Sequence, residues 1–336
     1  MKKLAAKEVA IQGYRCLTWP IRCLSRWQAE RNGTMPVYVL FYHRIFDDRA
    51  NDWTMRTGEF EEQIGWLARH FDIVSLQEAQ QRISGGHNTR PTVCITFDDG
   101  YADNSSHAIP LLMKRGLPFT YFVCLQNIQT GQPFPHDVKR GRPLEPNDVS
   151  VIRMMAKSAN VEIGAHTRTH ADLGAIDNRD ELLDEVIAAS RELETLIDHK
   201  VRYFAFPFGQ PANLRAEVFH MLRQHGFAGA CSAYGGNNEI GGDAFHIQRM
   251  HGDPLLARVQ NWLTFDPRVK FVKRYEYQAE VSQPDLKSAA SAETRPIQPE
   301  FNEPRQPRKP VNILDVPPAL GAVSLPNAFS NTDQFN

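Results

Sequence analysis

Two stretches hold side chains whose types and spacing could do chemistry together. The apolar run TVCITF (92–97) passes directly into Asp98-Asp99-Gly100. Adjacent carboxylates raise each other's cost of ionising, and a bound cation removes that cost by pairing with at least one of them. Neighbouring strand residues point to opposite sides, so the two acids are expected to differ in role, and Gly100 lets the chain turn sharply away. The second stretch, Gly164-Ala165-His166-Thr167-Arg168-Thr169-His170, follows the run VEIGA (161–165). Histidines four apart share a helical face or a turn, so both imidazoles can reach one ion. Two histidines, one carboxylate and an open position for water form a common catalytic zinc set, and the same donors suit ferrous iron or cobalt. Alone, Asp-Asp is often a turn, and HxxxH arises by chance in a chain with 12 histidines. Together, both at strand ends, they are far more specific.

The elements that must position these groups alternate along the chain. VYVLFYH (37–43), TVCITF (92–97), FTYFVCL (119–125), VEIGA (161–165) and RYFAFPF (202–208) read as buried strands, with AFHIQRM (244–250) a further one. Between them lie helical patterns: Phe60, Ile64, Leu67 and Phe71; then Leu182, Leu183, Val186, Ile187, Leu193 and Leu196; then Leu214, Val218, Met221 and Leu222, stopping at Gly226. Strand–helix alternation over more than 200 residues predicts a parallel sheet or barrel, whose reactive groups stand at the carboxyl ends of strands.

The bulk numbers fit one large folded region. The 336 residues are 42% hydrophobic and 23% charged, a globular composition, and a net charge of −1 gives no reason to expect a nucleic-acid partner. Five scattered cysteines without a CxxC pair support neither a zinc ribbon nor a dithiol redox site, and fit a reducing compartment. No signal peptide and no spanning run is expected, which leans towards a cytoplasmic protein, peripheral to a membrane at most. Residues 1–31 carry seven Lys/Arg against two Glu, with Trp19, Ile21, Leu24 and Trp27 interleaved. That pattern suits a solvated helix packed on the domain or, less simply, a helix in weak contact with a membrane surface. Three regions follow: a basic amphipathic segment (1–35), the folded domain (36–275) and a tail (276–336). Residues 281–336 hold nine of the 22 prolines, which reads as disorder.

The residues carry a family resemblance. LFYHRI (40–45), TFDDGYADN (96–104), GLPFTYFV (116–123), GAHTRTH (164–170) and FAFPFG (204–209) resemble, in order, the motifs of the polysaccharide deacetylase superfamily (NodB-homology, carbohydrate esterase family 4). The resemblance covers roughly residues 36–255. It implies a distorted (β/α) barrel, usually of seven strands, and hydrolysis of N-acetyl groups on amino-sugar units of a polysaccharide or oligosaccharide. It implies Asp98 as catalytic base and Asp99, His166 and His170 as ligands of a divalent metal, zinc first, with Co2+, Fe2+ or Ni2+ as alternatives. Backbone N–H groups near Pro207, Phe208 and Gly209 could stabilise the developing oxyanion, and these residues, with Tyr42 and His43, are candidates for holding substrate.

The match weakens at the proton-handling positions. The family's third motif reads Arg-x-Pro-Tyr, whereas this chain has Ala205-Phe206-Pro207-Phe208 and lacks the arginine held to tune the aspartate. Arg249, at the end of AFHIQRM, is the candidate replacement; a surface arginine is the plainer reading. No motif supplies a clear general acid. His251 is taken as the candidate, ahead of His43, which is typical of one branch of the family and is expected to pack near the site. Phe134 and His136 could line a groove. Two other functions remain open: hydrolysis of a different C–N amide, such as a cyclic imide or an allantoin-like compound, and a weakly active carbohydrate-binding or assembly protein. The glycan and the oligomeric state are not legible.

Overall fold

The computed structural model describes residues 2–48 and 51–277. From residue 278 the expected proline-rich tail lies outside the described residues. Strands that must be covered on both faces need apolar side chains on both, and the continuous runs of the sequence deliver them. They form β1 (Val37–Tyr42), β2 (Thr92–Phe97), β3 (Phe119–Val123), β4 (Val161–Ala165), β5 (Tyr203–Ala205), β6 (Gly229–Cys231), β7 (His246–Ile247) and β8 (Met250–His251). All pair in parallel, in the order β7-β6-β5-β4-β3-β2-β1-β8. A two-residue strand, Asp72–Ile73, adds to β2 off this path.

The two ends of that order, β7 and β8, are halves of one chain segment, parted only by Gln248 and Arg249. The first half pairs with β6 and the second with β1, so one interrupted strand curls the sheet back on itself. Counted as one, it is the seventh main strand of the expected barrel. Where its ladder breaks, Asn238 fills the seam. Its backbone exchanges hydrogen bonds with Val37 at 2.9 and 3.0 Å. Its fully buried side-chain amide donates to Gln248 O at 3.0 Å and accepts from Gln248 N at 2.9 Å. The amide thus copies a peptide group, and Arg274 braces it from outside by donating to Asn238 Oδ1 and His246 O.

Parity along each strand sorts the core. Val37, Val39, Cys94, Phe122, Tyr203, Ala205, Cys231 and Ile247 fall in one apolar cluster, which helix α3 (Leu76–Ser84) closes with Leu76, Ala79 and Ile83. The alternate residues, among them Tyr38, Leu40, Tyr42, Ile95, Phe97 and Phe204, fall in a larger one that includes Phe60, Ile64 and Leu67 of helix α2 (Thr57–His70). The smaller cluster occupies the barrel interior and the larger its helical shell. The helix expected near residue 182 is interrupted by a single π turn, Asp184–Ala188, between α-helical pieces Arg179–Leu183 and Ala189–Ile197. β6 was not anticipated: Gly-Ala-Cys offers no β-branched signal. RYFAFPF shortens to three paired residues because the chain turns at Phe206-Pro207.

Asn238→Leu removes both side-chain hydrogen bonds to Gln248 and leaves two buried backbone groups of that residue unpaired. The expected cost is about 2–4 kcal/mol, or a fall in Tm of roughly 5–12 °C. Thermal unfolding by circular dichroism reads it; a change below about one degree would show that the amide does not hold the seam.

Candidate active site

Inward parity, extended past the strand ends, delivers the polar groups to one mouth. His43 continues the series Val37, Val39, Phe41; Asp98 continues Cys94, Thr96; His166 continues Gly164; Arg249 and His251 continue Ile247. Tyr42 has the opposite parity, which corrects its place as a substrate-binding candidate. It is 1% exposed, donates to Gln63 Oε1, and packs edge-on to Phe60 among the helices.

Asp99 cannot reach the mouth by parity, and the backbone bends to bring it there. Gly100 N donates to Asp98 O at 2.9 Å, closing a three-residue turn with Asp99 at its centre and φ of 70°. The Pro207-Phe208-Gly209 segment repeats the device: Gly209 N donates to Pro207 O at 2.6 Å and Phe208 has φ of 60°. Such γ-turns are rare and strained. Gly209 is required as well by space, since a Cβ there would lie 2.6 Å from Ala233 N. Thr167 and His170 also have positive φ. The two histidines therefore meet through a tight, non-helical turn, the second of the two expected arrangements.

That turn is clamped from behind by Glu185, a buried carboxylate on the π turn. It accepts from Arg168 N at 2.9 Å, Thr169 N at 3.0 Å and Thr169 Oγ1 at 2.7 Å. Single π turns often mark functional sites, and here the extra residue per turn accompanies an acid beneath the histidine loop. The sequence reading missed Glu185. Its signal was a charged residue within the buried stripe of an amphipathic helix.

His166 Nε2 and His170 Nε2 lie 3.4 and 3.2 Å from Asp99 Oδ1. That buried oxygen nevertheless has no hydrogen-bond partner. Three ligand atoms, one from each residue, lie within 4.8 Å of one another, so the group could hold a metal ion. His166 Nδ1 is 2.7 Å from Ala205 O, which fixes Nδ1 as the protonated nitrogen of the neutral ring and leaves Nε2 to face Asp99. Burial raises the Asp99 carboxyl, but the two imidazoles outweigh it and hold it well below the usual carboxylate range. These donors fit a divalent cation: two imidazoles, one carboxylate, and an orphaned oxygen among them.

Asp98 faces the other way, into Arg249. The guanidinium grips both carboxylate oxygens, at 2.7 and 2.8 Å, and donates as well to Thr96 Oγ1 and Ser232 O. It is fully buried, with its carbon 5.1 and 5.3 Å from the ring centres of Phe41 and Phe122. Burial raises the Asp98 carboxyl, and Arg249, aided by His166, lowers it further than burial raises it. Arg249 is thus an interior residue, against the plainer expectation of a surface one.

The remaining candidates divide. His43 is near enough to Asp98 and Asp99 to feel both charges, and its buried Nδ1 has no hydrogen-bond partner. Burial lowers its pKa more than those carboxylates raise it. His251 lies across Phe41 and Trp53, with rings 5.4 Å from each. Burial, with His43 beside it, pushes it down to about 4. The charges acting on it are His43, Asp253 and Arg258 rather than the aspartate pair. Phe134 is buried and stacks on His136, and both rings approach His170. Two exposed aromatics flank the mouth: Phe208, 5.0 Å from the His170 ring, and Trp53, 4.7 Å from the His43 ring. Trp53 was not anticipated; it sits in a loop with no periodic signal.

Comparison with known proteins points to the same fold. The family profile described as polysaccharide deacetylase matches residues 85–230. YxkH of Bacillus subtilis, provisionally named a polysaccharide deacetylase, is 24% identical over 191 residues, 55% of this chain and 61% of that protein. The poly-β-1,6-N-acetyl-D-glucosamine N-deacetylase of Escherichia coli is 26% identical over 137 residues, 38% of this chain and 20% of that protein. The chain thus spans about three fifths of the length of the first relative and a fifth of the second. Among solved structures, IcaB from Ammonifex degensii superposes with a TM-score of 0.56 at 25% identity, over 68% of this chain and 97% of that one. The Streptococcus pyogenes deacetylase PplD gives 0.58 at 17% identity, over 68% and 99%. With its curled parallel sheet and with both motifs at strand ends, the chain is similar over residues 85–230 to the polysaccharide deacetylase family.

Proposed function

We propose that this chain is a metal-dependent hydrolase that removes N-acetyl groups from amino-sugar units of a polysaccharide. One observation carries the reading: the unpartnered Asp99 oxygen, facing two imidazole nitrogens, stands beside an aspartate that a buried arginine keeps ionised. The Escherichia coli relative is named for poly-β-1,6-N-acetyl-D-glucosamine, which makes a β-1,6-linked oligomer the first substrate to try.

Asp99, His166 and His170 would hold the cation, with zinc the first candidate from the donor set. Bound there, a divalent cation supplies Lewis acidity, which makes a water more acidic and a carbonyl more electrophilic. Asp98 is the base that accepts the proton of the attacking water. Arg249 occupies one lone pair on each of its oxygens and leaves others for that proton. The Phe208 N–H has no backbone partner among the described residues and is the donor offered to the developing oxyanion; Gly209 N–H is already spent on Pro207 O. His43, rather than His251, is the second proton carrier. Burial lowers its pKa, so the proton it delivers to the departing amine is the one that Asp98 takes from the attacking water. Trp53 and Phe208 offer faces on which a sugar ring can stack.

The direct test is acetate release from β-1,6-linked N-acetylglucosamine oligomers by zinc-loaded protein, with metal content measured in parallel. Release is expected, and is expected to vanish with a strong chelator and in His166→Ala, which should also lose bound metal. Activity that survives both would sink the metal role, and a fully loaded protein inert on every N-acetylated glycan would sink the deacetylase.

Arg249→Gln frees the Asp98 carboxyl to rise, so the acid limb of kcat/KM should move up by about 1–3 pH units. Above its unfolded pKa the depressed Asp98 adds stability, and that contribution fades as pH falls through the folded value. Breaking the buried pair should therefore cost about 3–5 kcal/mol near neutrality. An unmoved acid limb in folded variant protein would remove Asp98 as the base.

His43→Gln should lower kcat by roughly 10²–10⁴-fold with KM little changed, whereas His251→Gln should cost less than about tenfold. The opposite ranking would restore His251 as the acid.

A further inference from the structure

Helix α1 (Lys2–Asn32) is amphipathic in the unexpected sense. Tyr14, Arg15, Thr18 and Arg22 among its polar residues face the protein. Tyr14 donates to Asp266 at 2.9 Å, Arg15 to Gln260 at 3.1 Å, and the buried Arg22 to Asn261 O, Thr264 O and Asn261 Oδ1 at 2.7–2.9 Å. Its apolar residues face solvent. Val9, Leu17, Ile21, Leu24 and Trp27, at steps of eight, four, three and three, form one stripe, with Leu17 84% exposed. Trp19 stands at its margin, 65% exposed. Of the eleven large apolar side chains exposed among the described residues, six are on this one helix. A fold does not gather its exposed apolar area on one face without a use for it.

Beside the stripe, between α1 and the body, lies a groove of about 760 Å³. Arg15, Arg22, Arg26, Arg69 and His70 line it, together with Trp19 and Trp66, and no carboxylate does. Arg69 has no hydrogen-bond or ion-pair partner among the described residues. Arg26 pairs with Glu30 and Arg22 with Asp266, both carboxylates outside the groove lining, whereas Arg15 and Arg69 have no ion-pair partner among the described residues. An apolar stripe beside such a cationic groove matches the headgroup and acyl boundary of an anionic bilayer, the pattern of a helix lying in the interface plane. No described helix is long and apolar enough to cross a membrane.

We propose that α1 and the adjoining arginine groove form a docking surface for an anionic lipid bilayer, the stripe entering the acyl boundary and the groove taking headgroup phosphates. The groove opens at the amino ends of β1 and β2, beside Met35, Tyr38 and Pro91, whereas His43 and Asp98 follow their carboxyl ends. A six-residue strand spans roughly 20 Å, so a docked molecule keeps its catalytic mouth clear of the lipid.

The test is flotation of the full chain with vesicles of 70% phosphatidylcholine and 30% phosphatidylglycerol, against pure phosphatidylcholine. Binding is expected to the anionic vesicles, with a blue shift of tryptophan emission. It should weaken at least tenfold in Leu17→Gln/Leu24→Gln/Trp27→Gln, and severalfold in Arg26→Gln/Arg69→Gln. Unfolding temperature and acetate release should be unchanged in both variants, because these side chains lie on the surface far from the mouth. Failure to float with anionic vesicles would overturn the proposal, as would unchanged binding by the triple variant. A stable dimer in light scattering that the triple variant converts to monomer would assign the stripe to a second copy of the chain instead.

Discussion

The ion pair between Arg249 and Asp98 ties the barrel's closure to its chemistry. Arg249 interrupts the last strand, and in that interruption its guanidinium enters the interior, fully buried and bound at four contacts. Desolvating two ions costs several kcal/mol each, and their attraction offsets this only when geometry and hydrogen bonds are good. Here they are, with two aromatic faces added. The pair need not be a large source of net stability. It fixes a constraint: neither partner can be lost without leaving a bare charge in an apolar core, so the strand must break where it does and Asp98 must stay ionised.

A second constraint is strain. Strands run along the barrel wall, whereas convergent ligands must point across its mouth. The chain resolves the conflict within two to five residues of each strand end, and four non-glycine residues take positive φ there: Asp99, Thr167, His170 and Phe208. Each such conformation costs of order 1–3 kcal/mol and persists only where surroundings over-determine it. The Glu185 carboxylate supplies that for the histidine loop, and the backbone turns at Gly100 and Gly209 supply it for the other two.

These constraints explain what the sequence could and could not reveal. The barrel class and the convergence of Asp99, His166 and His170 were legible because each rests on local pattern: apolar runs, and acids and histidines that end them. Arg249 was legible through its place at the end of the run AFHIQRM, and the structure adds that it continues the inward series of that strand. The same parity argument, applied to Tyr42, would have put it among the helices. Glu185 and Trp53 were not legible. One depends on a single π turn that re-phases a helix, the other on where an irregular loop lies in space, and neither leaves a periodic trace. The weak strand Gly229–Cys231 was lost because Gly229 and Cys231 serve the tight barrel interior, with Ala230 against the helical shell, rather than any intrinsic preference.

Helix α1 shows the complementary limit. Periodicity reveals that a helix has an apolar stripe, but not which way the stripe faces. Burial of apolar area alone would have turned Leu17, Leu24 and Trp27 inward. The opposite orientation follows from the polar needs of the surface beneath. The end of helix α4 (Leu256–Leu263) presents carbonyls that lack intrahelical donors, and Arg22 satisfies those of Asn261 and Thr264 while bringing a cation to the negative end of the helix dipole. Asp266 likewise takes the Tyr14 hydroxyl. Once those contacts fix the rotation of α1, its apolar residues have no choice but to face outward. The same contacts that satisfy the domain therefore create the surface that a lipid interface would complete.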